Sequence, residues 1–523
     1  MPGPSLRGNA RTPAPCASLL ARSAIFLYNG APAGPGEQPM TMKQQTSASA
    51  ARRARDVAAW DNETDVVVVG FGAAGACAAI EAAETGADVL VLERSGGGGG
   101  TSAMSGGLIY MGGGTPVQQA CGYEDSPDEM FGFLMAALGP EPDESKIRLF
   151  CDESVSHFHW LEAHGVPFKR SFYPEPGLEA PTDDCLVFSG GEDGHPFDRI
   201  AKPAPRAHKP QHPAAAGGFL MQKLVAATER SGAAIVCDAR ADALIVEDDG
   251  SVAGIVVRHD GHDRVVRARR GVVLTAGGFV KNEEMVARHQ PRIAACSFKL
   301  GVDGDDGLAI RMAMAVGADA IRMDAAEVAL PLTPPRRLVR GIVVNRHGQR
   351  FINEDTYYGR VGQEALFRHD GQVFLVVDNA IYERNALGFE ATFVEETIEE
   401  LERSAGFPEG SLQATVEYYN RFAVRGEDPA FHKVPALVQP LVEPPFAVID
   451  CRPDKVLWAT FTLGGLHTKP TGEVLDPDGN EIAGLFAAGR TTSGIAAYGY
   501  CSGISLGDAT FFGREAGRRA AAK

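Results

Sequence analysis

The stretch DVVVVGFGAAGACAAIEAAETGADVLVLER, Asp65–Arg94, decides the fold. Its valine run Val66–Val69, closed by a glycine, has the composition of a strand buried on both faces. An alanine-rich helical pattern follows, and a second apolar run ends in an acid. Strand, helix and strand in that order make a βαβ unit. Gly70, Gly72 and Gly75 stand where a dinucleotide site needs a tight turn, a close backbone approach to pyrophosphate and close helix-to-strand packing. Ala73 and Ala74 open the helix, whose first amides face the phosphates. Glu93, 23 residues after Gly70 and followed by Arg94, is placed to accept hydrogen bonds from ribose hydroxyls.

The next segment, SGGGGGTSAMSGGLIYMGGG from Ser95, separates two kinds of dinucleotide. An NAD domain would resume strand–helix alternation here, whereas a long glycine-rich loop suits a chain laid along an extended flavin dinucleotide. Gly100, Thr101, Ser102, Ser105, Gly106 and Gly107 are the loop's candidate contacts. Two later pieces, GVVLTAGGF from Gly271 and GLFAAGR from Gly484, read as apolar strands whose small terminal residues deliver backbone to a cofactor. They nominate Ala276, Gly277, Gly278 and Gly489, with Arg490 beside the last.

With 523 residues, 44% of them hydrophobic, the chain can fill two or three packed domains. A net charge of −17 repels nucleic acid and anionic membranes, leaving small molecules as the expected partners. No run approaches the ~18 apolar residues of a membrane span. The nine cysteines are scattered without a CxxC pair, the pattern of reduced packing residues in a cytoplasmic protein. Residues 1–59 are expected to be a disordered tail, or a mis-called start with Met40 or Met42 as the true first residue. The histidines have no zinc-like spacing, and His157 and His159 would fall on different faces of a helix. The run KPAPRAHKPQHPAAAGG reads as a loop leading into a helix, without chemistry.

In order along the chain, GFGAAG, GGTSAMSGG, LTAGGF, GIVVNRHGQRFINED, TLGGL and GLFAAGR resemble the fumarate reductase and succinate dehydrogenase flavoprotein superfamily, which includes the 3-ketosteroid dehydrogenases. The resemblance covers nearly everything after Thr64. It implies an α/β fold, a Rossmann-like FAD-binding domain formed by residues 60–282 and 455–523, with an inserted α+β substrate (capping) domain at 283–454. It adds Ala241, Ser505 and Leu506 to the expected FAD contacts. Covalently flavinylated members carry a histidine at the place that Gly100 occupies, counted back from Gly106, so FAD is expected to be non-covalent. No second dinucleotide fingerprint appears; direct reoxidation by NAD is not expected and the electron acceptor stays open.

Dicarboxylate-reducing relatives clamp their substrate with cations, including an arginine after RFxNE that serves as acid. In RFINEDTYYGR that position is Tyr358. The final stretch AAYGYCSGISLGD lacks the relatives' histidine and arginine, and TFTLGGL starts without a histidine. Cations lost at all these places argue for a neutral, largely apolar substrate. Tyrosines there resemble the ketosteroid dehydrogenases. The resemblance makes Tyr358 the base next to the 3-ketone and Tyr500 a holder of the carbonyl oxygen, with the amide of Ser502 or Gly503. Ser502 could instead cap the helix that starts near Ile504. In an extended segment one of Tyr357 and Tyr358 would point inward and the other outward, and the resemblance alone makes Tyr358 the inward one, while Tyr498 and Tyr500 would share a face. The Tyr-x-Ser arrangement is similar to that of 3-oxo-5α-steroid 4-dehydrogenases, which form the 4,5 double bond; the 1,2-desaturating enzymes tend to show YPGPG there. A fumarate-reductase-like alkene reductase and a flavin-binding electron carrier are the other readings weighed.

Overall fold

The computed structural model describes residues 50–175, 179–333, 335–384, 387 and 389–522. The expected tail or mis-called start lies, over residues 1–49, outside them. Arg52–Arg53, which the sequence assigns to that tail, pair with Ile245–Val246 as a short parallel strand at the edge of the main sheet.

The βαβ unit of the opening stretch is the centre of a nine-stranded sheet. Strand Asn62–Val69 runs parallel to Val89–Leu92, which runs parallel to Ala234–Val236. On its other flank lies the long strand His262–Leu274, and this also carries Glu481–Ala487, again parallel. The valines alternate between two cores. Val66 and Val68 pack with the alanines of helix Ala73–Glu84, while Val67 and Val69 join the core under the inserted segment.

The last helix, Ile504–Ala521, crosses the first at unusually short range. A Cβ on Gly513 would stand 2.5 Å from the carbonyl oxygen of Ala74, and one on Gly517 would stand 2.2 Å from that of Ala78. Only glycine tolerates those distances. The crossing brings the N-terminal ends of both helices, Gly72–Ala74 and Gly503–Leu506, to one cleft.

Between these parts the chain builds a four-stranded antiparallel sheet in the order Ile342–Asn345, Val373–Asp378, Phe446–Asp450 and Phe393–Glu395. Helices Tyr358–His369, Ile398–Ala405 and Ser411–Ala423 accompany it. A three-stranded sheet joins Phe298–Lys299 and Ala326–Ala329 to Ala459–Thr462. The architecture is α/β, a Rossmann-like FAD-binding fold with an inserted α+β segment. No helix among the described residues is long and apolar enough to cross a membrane.

Candidate active site

One cleft, enclosing about 2100 Å³ including its open mouth, runs from the glycine-rich turn to the tyrosines. At its first end Gly70 holds φ +97°, and a Cβ there would lie 2.7 Å from the carbonyl oxygen of Thr275. Gly75 is closed in further, its would-be Cβ only 1.9 Å from the Gly70 carbonyl oxygen, so it serves packing and does not line the cleft. Gly72 differs from both. A Cβ there would meet only Ser102 Oγ at 3.4 Å and a carbonyl oxygen at 3.9 Å, so the protein leaves that side open.

Glu93 is buried, and its two oxygens accept from the amides of Phe71 and Ser95, each at 2.8 Å. A carboxylate offers about four acceptor sites, so capacity remains toward the cleft that it lines. In the glycine-rich loop Ser102 Oγ accepts from the amide of Ala73 at 3.2 Å, and Ser105 Oγ donates to the Ser102 carbonyl at 2.7 Å. The Thr101 hydroxyl donates to Asp305. Gly100, Gly106, Gly107, Ala241, Ala276, Gly277, Gly489, Ser505 and Leu506 all line the cleft with these residues. Gly278 does not; its amide donates to Asp305 at 3.0 Å behind the wall.

The other end is built on the RFINED turn. Arg350 bonds Glu354 at 2.8 Å and Asp428 at 2.9 Å, and Lys433 reaches Glu354 at 2.9 Å, all in the interior. Burial opposes the Glu354 carboxylate, but Arg350 and Lys433 hold its pKa below the ordinary value. Helix Tyr358–His369 follows Arg350 and Glu354 of this ion cluster in the chain. There the extended expectation fails: Tyr357 is the N-cap, and both it and Tyr358 line the cleft. Tyr357 keeps a non-helical backbone, φ −54° and ψ 129°, and the helix begins at Tyr358, so the alternation of a continuous strand does not hold across the pair. The two ring centroids are 4.5 Å apart.

Tyr500 is buried, 6.3 Å from Tyr357 between ring centroids and 5.2 Å from Phe461. Its oxygen accepts from the amide of Ser505 at 3.1 Å, which leaves the phenolic hydrogen to donate elsewhere. Tyr498 does not share its face. That hydroxyl donates to Asp324 at 3.1 Å and its ring does not line the cleft. Ser502 does not cap the last helix, whose N-cap is Gly503 at φ +98° without a side-chain cap bond. Its side chain lines the cleft with Tyr358; burial raises the Tyr358 pKa to about 12, against the lowering pull of the nearby Ser502 hydroxyl. The Ser502 amide is occupied by the Ser189 carbonyl at 3.3 Å, whereas the Gly503 amide has no partner among the described residues. Of the two amides left open by the sequence, Gly503's is the free one.

The positive charge in the cleft is compensated. Its arginines are Arg94, Arg240 and Arg490, and each has a carboxylate: Asp306 at 2.8 Å, Asp242 at 2.7 Å and Asp305 at 3.4 Å. Around the tyrosines the wall is apolar, with Phe298, Leu300, Ala329, Pro331, Leu457 and Phe461. Among the described residues no metal-binding cluster forms; His157 is buried against Thr510 and Arg514 while His159 faces solvent.

A profile of the FAD binding domain family matches residues 65–506. A solved structure, the 3-ketosteroid-Δ4-(5α)-dehydrogenase from Rhodococcus jostii RHA1 in complex with 4-androstene-3,17-dione, is 49% identical, with a TM-score of 0.87 over 90% of this chain and 100% of its own. The chain belongs to the 3-ketosteroid dehydrogenase group of FAD-binding flavoproteins. Among curated proteins it is 27% identical to the 3-oxo-5-alpha-steroid 4-dehydrogenase of Comamonas testosteroni, covering 83% of this chain and 94% of that one. It is also 29% identical to a probable fumarate reductase of Shewanella frigidimarina, over 89% of this chain and 76% of that one.

The cofactor of this family is FAD, and the cleft fits it. The open side of Gly72, beside the first amides of a helix of 12 residues, is what a pyrophosphate requires. No histidine is among the described residues that line the cleft. Sequence reasoning missed Tyr357, Asp305 and Glu327, which also line it. Glu327 had a signal, a lone acid within the apolar run AAEVALPL. Asp305, in GVDGDDG, had none.

Proposed function

We propose that this enzyme dehydrogenates a 3-ketosteroid, introducing the 4,5 double bond into a 3-oxo-5α-steroid. One observation carries the reading. Tyr358, Tyr500, Ser502 and the free Gly503 amide converge on an apolar wall where every arginine is already paired. An anionic substrate would find no spare cation there, and an uncharged ketone finds two donors. The Rhodococcus relative was solved with a 4-ene-3-ketone, the product such a reaction would leave.

In this reading Tyr500 and the Gly503 amide donate to the ketone oxygen. Losing a proton from the neighbouring carbon builds charge on that oxygen, and preset donors stabilise it. Tyr358, once ionised, would take up the proton, with the Ser502 hydroxyl near it to stabilise the phenolate. The apolar wall excludes water and strengthens these interactions. When bound, FAD supplies the acceptor for the hydride that leaves the β-carbon. Gly70, Gly72, Glu93 and the Gly100–Gly107 loop would hold the dinucleotide, while residues 283–454 would supply the substrate side. A cytoplasmic setting belongs to the same reading, supported by the buried thiols Cys77, Cys151, Cys296, Cys451 and Cys501, which form no disulfide.

The test is product analysis. Purified FAD-loaded enzyme is given a 5α-reduced 3-ketosteroid or a 4-ene-3-ketosteroid with an artificial dye as electron acceptor. Conversion of the first to the 4-ene is expected. Conversion of the second alone, to the 1,4-diene, refutes the bond assignment; turnover of fumarate with reduced dye, and of neither steroid, refutes the substrate class.

A further inference from the structure

Two straps hold the turn that carries Ser502 and Gly503, and both run back to one buried acid. In the first, the Ser189 hydroxyl donates to the Ser502 carbonyl at 2.8 Å, and the Ser502 amide donates to the Ser189 carbonyl at 3.3 Å. In the second, the Tyr110 amide donates to the Gly503 carbonyl at 3.0 Å. Glu192, 1% exposed, ties the two together. Its Oε2 accepts from the amides of Ser189 at 3.2 Å and Gly190 at 2.8 Å, and its Oε1 accepts from the Tyr110 hydroxyl at 3.0 Å. The hydrogen bonds thus close a ring: Glu192, Ser189, Ser502, Gly503, Tyr110 and Glu192 again. Packing tightens it, since a Cβ on Gly190 would lie only 2.9 Å from Cys501 Sγ and 3.0 Å from the Phe133 ring.

Glu192, Ser189 and Tyr110 are not among the residues that line the cleft, whereas Ser502 and Gly503 are. What the ring controls is one peptide unit, made of the Ser502 carbonyl and the Gly503 amide. A trans peptide is planar, with its C=O and N–H pointing in opposite directions. By engaging the carbonyl on the side away from the cleft, the Ser189 hydroxyl turns the Gly503 N–H toward it. The local backbone does not secure that orientation. Gly503 sits at φ +98°, and glycine populates both signs of φ about equally, so the peptide could turn over at little cost. Turned over, it would set a carbonyl oxygen against the ketone in place of a donor.

We infer that Ser189 is a positioning residue that holds the Ser502–Gly503 peptide in its donating orientation, with Glu192 fixing Ser189 in turn. This rests on the steroid dehydrogenation proposed above, in which the Gly503 amide donates to the ketone oxygen. Neither residue touches the substrate; both act through that amide. Donors already aimed at the oxygen where charge develops need no rearrangement during the reaction, and a hydroxyl outside the cleft supplies that aim.

The test has two readouts on FAD-loaded enzyme. One is single-turnover flavin reduction by a 3-oxo-5α-steroid. The other is the ketone stretch of a bound 4-ene-3-ketosteroid, followed by isotope-edited infrared spectroscopy, which reports the donors on that oxygen. Ser189→Ala leaves both backbone bonds of Ser189 in place and removes only the hydroxyl. It should slow flavin reduction about 10-fold, the worth of one buried hydrogen bond, and move the ketone stretch toward that of the unbound steroid. Glu192→Ala should do the same, whereas Glu192→Gln, which keeps an acceptor for the two amides, should stay within about threefold of the wild type. A Ser189→Ala enzyme with the wild-type rate and stretch overturns the positioning role. So does one that is slower with an unchanged stretch, because the ring would then only brace the last helix. Glu192→Ala with the wild-type rate and stretch overturns the part given to Glu192. A folded, FAD-loaded wild type inert toward every 3-ketosteroid overturns the functional reading, and the positioning role with it.

Discussion

Replacing Tyr500 by Phe removes a single oxygen from the centre of the cleft, and the structure sets how much should be lost. The ring is 7% exposed and wedged between Phe461 and Tyr357, so the phenyl group will keep its place. What disappears is one of two donors to the ketone oxygen, the other being the Gly503 amide. Deleting one oxyanion donor costs about 10²–10³ in rate. With the amide still in place, the lower end applies: about 10²-fold in the rate constant for flavin reduction, or about 2.7 kcal/mol of transition-state stabilisation. A second cost falls on the fold. The Ser505 amide, which donates to the Tyr500 oxygen at 3.1 Å, loses its acceptor, worth about 1–3 kcal/mol of stability if no water replaces it. Anaerobic stopped-flow measurement of flavin reduction by a 3-oxo-5α-steroid gives the first quantity, and thermal unfolding of the holoenzyme gives the second. A Tyr500→Phe enzyme that reduces its flavin within about twofold of the wild-type rate would refute the donor role, because a twofold change is well under 1 kcal/mol.

Gly72→Ala should fold, since its Cβ meets nothing nearer than 3.4 Å, yet purify with little bound FAD; full flavin retention would show that the open side of Gly72 does not face the pyrophosphate. Tyr498→Phe should keep the wild-type flavin reduction rate, because that hydroxyl is engaged with Asp324 away from the cleft; a tenfold loss would place Tyr498 in the machinery. A Glu327→Gln variant carries a stability signature. Burial raises the Glu327 pKa from 4.5 to about 8, so the contribution of its neutral form is complete below about pH 4.5 and declines as pH rises through about 8. The melting temperature of the variant relative to the wild type should therefore climb between those limits, by up to about 1.4 kcal/mol of stability per pH unit. Parallel melting curves across that window would mean that Glu327 titrates normally.

By itself the sequence determined the βαβ unit, the flavin-type dinucleotide site and the loss of the dicarboxylate clamp. All three are local patterns: a valine run beside glycines at fixed offsets, a glycine-rich loop directly after Glu93, and tyrosines standing at positions that are cationic in relatives. Tertiary structure alone decided what each polar atom is free to do. Arg490 is neutralised by Asp305, 185 residues away, and no spacing rule links them. The Ser502 amide is taken by Ser189 and the Gly503 amide is not, a distinction made 313 residues away in the chain. Tyr357 lines the cleft beside Tyr358, at the start of a helix where an extended segment was expected. Hydrophobic periodicity is written along the chain, whereas the satisfaction of a buried donor or charge depends on whichever distant group the packing sets beside it.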